Sequence, residues 1–109
     1  MDHIRSQPYY EITQLRSDVW CFLSKSPFER GSCRTYLIVG SEKALLIDTG
    51  FGIGNLKAII ESITALPLDV VNTHFHYDHT FGNFQFEQVY IHEYDFDNCH
   101  LQELSLIHI

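Results

Sequence analysis

Apolar residues fall into short blocks separated by polar, glycine-bearing breaks, and the spacing within each block assigns its conformation. Residues 18–23, 33–39 and 44–47 are rich in β-branched and aromatic side chains, which predicts three strands, the last two joined as a hairpin through Gly40-Ser41-Glu42-Lys43. The run Ala44-Leu45-Leu46-Ile47 is continuously apolar, the pattern of a strand buried on both faces. It leads into Asp48-Thr49-Gly50 and then Gly52 and Gly54, where the chain must turn sharply. From Asn55 the period changes: Leu56, Ile59, Ile60 and Ile63 recur at helical spacing, with Asn55 placed as the cap and Pro67 beyond the end. A helix over 55–65 follows. Beyond it the pattern predicts a strand over 68–72, a loop over 73–79, a short helix over 81–86 interrupted by Gly82-Asn83, a strand over 89–91 and an amphipathic helix over 95–104. Strands alternating with helices imply an α/β fold, a mixed sheet with flanking helices, and no internal repeat divides it.

Composition narrows the function classes. At 109 residues with 45% hydrophobic and 19% charged positions the chain is globular in character, though a core of this size is modest. Seven Lys and Arg against fourteen Asp and Glu leave a formal charge of −7, the wrong sign for contacts with a phosphate backbone, so no nucleic-acid partner is expected. The first ten residues carry charges and Pro8 where a secretory peptide has its apolar run, and no segment approaches membrane-spanning length. A cytoplasmic protein with no membrane partner is expected. Cys21, Cys33 and Cys99 are odd in number and contain no C-x-x-C pair, which suits buried thiols better than disulfides or a cysteine-ligated zinc.

The chemistry concentrates in one loop. Within six positions the chain places His74, His76, Asp78 and His79, four side chains that bind zinc or iron through imidazole nitrogen or carboxylate oxygen. In an extended segment residues two apart point the same way, so His74 and His76 can grip one metal, while a turn into helix brings Asp78 and His79 round to a second. Paired ions of this kind lie about 3.5–4 Å apart and lower the pKa of water from about 15.7 to about 7. The competing reading, surface histidines or helix-end partners without metal, leaves this register unexplained, because buried imidazoles and carboxylates are costly unless partnered.

The segment Thr73-His74-Phe75-His76-Tyr77-Asp78-His79 resembles the H-x-H-x-D-H signature of the metallo-β-lactamase superfamily. Upstream, Leu46-Ile47-Asp48-Thr49-Gly50 resembles that superfamily's strand-end D-T-G element, and Gly82-Asn83 resembles its glycine-rich continuation, so the likeness spans 36–91. The resemblance implies an αββα sandwich with metals at the sheet edge, of which residues 1–103 would be the N-terminal half. It implies two zinc ions in the complete protein, iron being the other candidate, and a small-molecule substrate. A metal-bound hydroxide would hydrolyse an ester, thioester, lactone, amide or phosphoester. Carried over by position, His74 and His76 hold the first metal, Asp78 and His79 the second, Asp78 also accepts a proton in catalysis, and Asp48 orients the site. Asp48 has a plainer alternative, satisfying its own turn. His92 is expected at the surface, and His3 and His100 in solvent.

Departures narrow the resemblance. His79 follows Asp78 where one β-lactamase subclass has arginine, and His76 stands where flavodiiron relatives carry glutamate. Thr80-Phe81-Gly82 departs from the double glycine of thioesterase-like members such as hydroxyacylglutathione hydrolases. The superfamily's remaining ligands come from a second half, and after His79 only His92, His100 and His108 are left to supply them. The final six residues, Leu104-Ser105-Leu106-Ile107-His108-Ile109, back-translate to CTG TCT CTT ATA CAC ATC, which resembles a transposase end used in sequencing adapters. Residues 104–109 are therefore expected to be a non-native tail. The rival classes are a non-catalytic metal-binding or interaction module and an iron-dependent oxygenase-type member.

Overall fold

The structure is a computed structural model that describes residues 6–7, 9–25, 32–73, 77–91 and 106–108, with the backbone alone for residues 6, 7, 25, 32, 77, 78 and 106–108. Eight strands form one sheet in sequence order: β1 (Ser6–Gln7), β2 (Tyr10–Arg16), β3 (Val19–Lys25), β4 (Ser32–Val39), β5 (Ala44–Ile47), β6 (Leu68–Val71), β7 (Val89–Ile91) and β8 (Leu106–His108). Pairing is antiparallel from β1 to β5 and parallel from β5 to β8. The change follows from the connections. Gly40–Lys43 closes a tight hairpin, its Gly40 amide donating to the Lys43 carbonyl at 2.9 Å, whereas β5 and β6 are joined through helix α1 (Leu56–Ile63), the crossover that a parallel pair requires.

Helix α1 forms where the period predicts. The Asn55 side chain accepts a 3.0 Å bond from the Ala58 amide, a cap worth about 1 kcal/mol, and Thr64 leaves helical geometry at the other end. Leu56 and Ile60 are buried in one core cluster with Leu37, Leu46 and Val70. Burial of each such side chain stabilises the fold by about 1.5–3 kcal/mol. The short helix expected over 81–86 begins earlier, inside the loop expected over 73–79, and comes as two turns of different pitch, α2 (Tyr77–Thr80) and a 3-10 segment (Phe81–Gln85).

Two further differences from the sequence pattern have physical causes. Strands β1 and β2 were not foreseen, because in β2 only Tyr10 and Ile12 are buried and the following residues are polar or, like Leu15, exposed. β5 is buried on one face only: Ala44 and Leu46 are enclosed, while Leu45 and Ile47 are half-buried. Those two belong to the sheet face opposite α1, where Tyr36, Ile47, Val71 and Tyr90 make a half-buried cross-strand row and Ile38 stands beside Leu45, 38% exposed. The helix expected over 95–104 lies outside the described residues. Leu106–His108, within the expected non-native tail, pairs in parallel with β7. A sheet edge offers unpaired amides and carbonyls to any apolar segment, so this pairing is silent on the tail's origin.

Candidate metal centre

The parallel strands β5 and β6 end side by side, with Ile47 opposite Val71, and the residues that follow each end build the site. The Asp48 amide donates to the Val71 carbonyl at 2.7 Å, which extends the ladder by one residue before the chain turns. Asp48 then adopts φ 68°, a left-handed conformation that Asp tolerates better than most side chains. That twist sends its carboxylate across to the β6–α2 connection. Oδ1 accepts the Thr73 amide at 2.8 Å, and Oδ2 accepts the Thr73 hydroxyl and faces His79 Nδ1, both at 2.8 Å. Asp48 therefore bonds residues 25 and 31 positions away.

Gly50 makes the close approach possible. It has φ 76°, and a Cβ there would collide with the Ser24 hydroxyl, so the loop carrying Asp48 lies directly on β3. Gly82 serves the other wall in the same way, since a Cβ at that position would collide with the Thr49 carbonyl.

A buried polar network holds the backbone of His79. Its carbonyl accepts the Thr49 amide at 2.9 Å and lies 3.4 Å from Asn72 Nδ2. Asn72 and Asn83 form a reciprocal amide pair, with Asn83 Nδ2 donating to Asn72 Oδ1 at 2.7 Å and Asn72 Nδ2 to Asn83 Oδ1 at 3.1 Å. The Thr49 hydroxyl has one proton, and its shorter contact is Asn83 Oδ1 at 2.8 Å against 3.2 Å to the His79 carbonyl. Sequence reasoning singled out none of Asn72, Thr49 or Asn83 for this task. Their burial, 3% or less exposed, marks them as placed for hydrogen bonding, because an unpaired amide is costly there.

Of the residues assigned to metals by spacing, His79 is described in full. Its side chain is 22% exposed and faces the 3% exposed side chain of Asp48. α2 begins at Tyr77, so residues 78 and 79 do lie at the start of a helical turn. His74 and His76 lie outside the described residues, as does the side chain of Asp78. His3, His92, His100 and Cys99 are also outside them, and Cys21 and Cys33 are buried and not in disulfides.

Cys33 is a buried thiol outside any disulfide, as its pattern predicts, and its sulfur lies 3.4 Å from His79 Nδ1. Donor atoms of Cys33, Asp48 and His79 all fall within 4.8 Å of one another, a spacing that admits a metal. The Nδ1–Oδ2 separation is that of a hydrogen bond and shorter than two ligands on one ion require. Nitrogen and oxygen ligands sharing one tetrahedral zinc stand about 3.3 Å apart, given bonds of about 2.0–2.1 Å. Asp48 and His79 are 2.8 Å apart, the length of a charge-assisted hydrogen bond. With Nδ1 committed to Asp48, Nε2 is the nitrogen that can serve as a ligand, the carboxylate–histidine arrangement in which metal-binding imidazoles are commonly held.

Above this site, Tyr10, Ser24 and Cys33 occupy one cross-strand row. Burial pushes the Tyr10 phenol up from 10.0 to about 12, with Cys33 adding in the same direction. The Tyr10, Ser24 and Thr35 hydroxyls are buried with no hydrogen-bond partner among the described residues. A groove of about 520 Å³ lies elsewhere, at the opposite end of β6 against the last turn of α1, lined by residues such as Thr64, Leu68 and Phe86.

The comparisons with known proteins agree with this geometry. The family model of the metallo-beta-lactamase superfamily matches residues 29–93. The chain belongs to that superfamily. Acyl-coenzyme A thioesterase MBLAC2 of Bos taurus is 33% identical in a 78-residue alignment covering 60% of this chain and 28% of the bovine protein. Its Homo sapiens counterpart is 35% identical with the same coverage. Among solved structures, DIM-1 metallo-beta-lactamase superposes with a TM-score of 0.73 at 18% identity, covering 95% of this chain and 54% of that one. The enzyme from Erythrobacter litoralis gives 0.73 at 19% identity, covering 93% and 49%. The chain thus spans about half the length of these structures and 28% of the curated relatives, and the fold is that part of the α/β sandwich.

Proposed function

We propose that the whole protein carrying this chain is a metal-dependent hydrolase of acyl thioesters. The observation that carries the reading is the 2.8 Å pair between Asp48 and His79 Nδ1, which orients the one fully described member of the H-x-H-x-D-H segment as a ligand. The donor chemistry suits zinc: His74 and His76 would hold one ion, and Asp78 and His79 a second. Bound there, zinc supplies Lewis acidity and brings the pKa of water to about 7. The chain's own residues prepare that chemistry. Asp48 keeps the Nδ1 proton in place, the Thr49–Asn72–Asn83 network fixes the His79 backbone, and Asp78 is the carboxylate that would accept a proton. The thioester class is supported by the names of the curated relatives, and a small-molecule substrate in the cytoplasm fits the acidic chain.

The half-buried row Tyr36–Ile47–Val71–Tyr90 is the face on which a second half of the sandwich would pack, with residues 1–103 as the first half and 104–109 as a non-native tail. The test is hydrolysis of acyl-coenzyme A thioesters by the whole protein, before and after metal removal and zinc return. Loss on chelation with recovery on zinc supports the proposal. Undiminished turnover in metal-free protein, or in His79→Gln, overturns it.

A further inference from the structure

We propose that Cys33 is a positioning residue for His79, its sulfur a second acceptor for the Nδ1 proton and a wall against which the imidazole stands. The functional consequence rests on the reading of His79 as a metal ligand; the contact itself does not.

Proton bookkeeping supports the assignment. The Cys33 thiol can donate to the Arg34 carbonyl, 3.7 Å away, and its sulfur lies 3.4 Å from His79 Nδ1. Nδ1 faces the Asp48 carboxylate at 2.8 Å, where a nitrogen without a proton would set two lone pairs against each other. Nδ1 therefore carries the hydrogen and has two acceptors, one strong and one weak. The two lie on β4 and at the end of β5, adjacent strands paired through Tyr36 and Ile47, so rotating the ring away from either costs a contact. Cys33 is itself fixed: it is 1% exposed and paired in register with Ser24, over which the loop at Gly50 closes. A small, weakly polar side chain fits this place, because a larger one would push the ring off Asp48 and a charged one would be buried.

The test uses the whole protein, reduced and metal-free, with histidine nitrogens labelled and the His79 signals assigned by their loss in His79→Gln. Long-range proton–nitrogen spectra of the wild type should show one Nδ1–H tautomer in one ring position. Cys33→Ala and Cys33→Val should broaden or split those signals and weaken cobalt binding about tenfold, as for other partners of metal-bound histidines, and Cys33→Ser should restore both. If Cys33→Ala fails to fold, the Val and Ser pair carries the comparison. Wild-type His79 signals and cobalt affinity in both truncations would reduce Cys33 to packing and overturn the proposal. A sulfur-to-cobalt charge-transfer band that vanishes in Cys33→Ser would also overturn it, by making Cys33 a ligand. Unchanged cobalt stoichiometry in His79→Gln would instead reject the metal reading of His79, and the metal-free spectra would still judge Cys33.

Discussion

Replacing Asp48 by Asn changes one atom and should invert the proton arrangement of the site. The Asp48 carboxylate faces three donors, the Thr73 amide, the Thr73 hydroxyl and His79 Nδ1, each at 2.8 Å. An amide has one oxygen to offer. The Thr73 backbone N–H can only donate, so it keeps that oxygen, and the new NH2 falls where Oδ2 was. The Thr73 hydroxyl can turn and accept. His79 can accept only by moving its proton from Nδ1 to Nε2, the nitrogen assigned to the metal. Asn tolerates the φ of 68° at this position much as Asp does, so the backbone is spared, which an Ala replacement would not ensure. The loss is one hydrogen bond to a charged group, about 1.5–3 kcal/mol, equivalent to a fall in metal affinity of roughly 10–150-fold. Competition with a chromophoric chelator measures the affinity, nitrogen shifts of His79 report the tautomer, and a thermal melt controls for folding. An Asp48→Asn protein that keeps the Nδ1–H tautomer and binds metal within threefold of wild type would refute the reasoning.

Three other outcomes are expected. Asn83→Leu should cost about 2–5 kcal/mol in denaturant unfolding, because it strands the Asn72 side-chain oxygen in the interior and leaves the Thr49 hydroxyl and Asn72 Nδ2 only their longer contacts to the His79 carbonyl; a loss below about 1 kcal/mol would show that the network relaxes. The Tyr10 phenol, raised to about 12, leaves stability unaffected below pH 10, where both folded and unfolded chains hold the proton. Between pH 10 and 12 the unfolded chain alone ionises, so stability should fall by about 1.4 kcal/mol per pH unit, and Tyr10→Phe should abolish that component; superimposable alkaline curves would contradict the assignment. Residues 1–103 expressed alone should bind zinc weakly and self-associate through the half-buried face of β4–β7, and a monomer on size exclusion that holds two zinc ions tightly would contradict both.

Local patterns made part of this molecule legible. The helical period from Leu56 to Ile63 with its Asn55 cap placed α1 to within two residues of its observed ends, and the glycines after Ile47 marked the turn that Asp48 opens. Spacing alone nominated His74, His76, Asp78 and His79. What stayed hidden depends on contacts distant in sequence. Cys33 meets His79 across 46 positions, a proximity set by the β3–β4–β5 register and invisible in a lone cysteine. Asn72 was read as the last residue of a strand and Asn83 as a break in a short helix, and neither position told that the two amides would meet in the interior. The run Ala44–Ile47 signalled burial on both faces, whereas among the described residues Leu45 and Ile47 are only half-buried, because α1 covers one face of the sheet.

The most direct test of a metal-bearing hydrolytic site is the metal content of the natively purified whole protein, determined together with thioester turnover, for wild type and His76→Ala. The account predicts two zinc ions per wild-type chain, with content and turnover falling together in the variant. Wild-type metal stoichiometry in His76→Ala, or full turnover without metal, would contradict it.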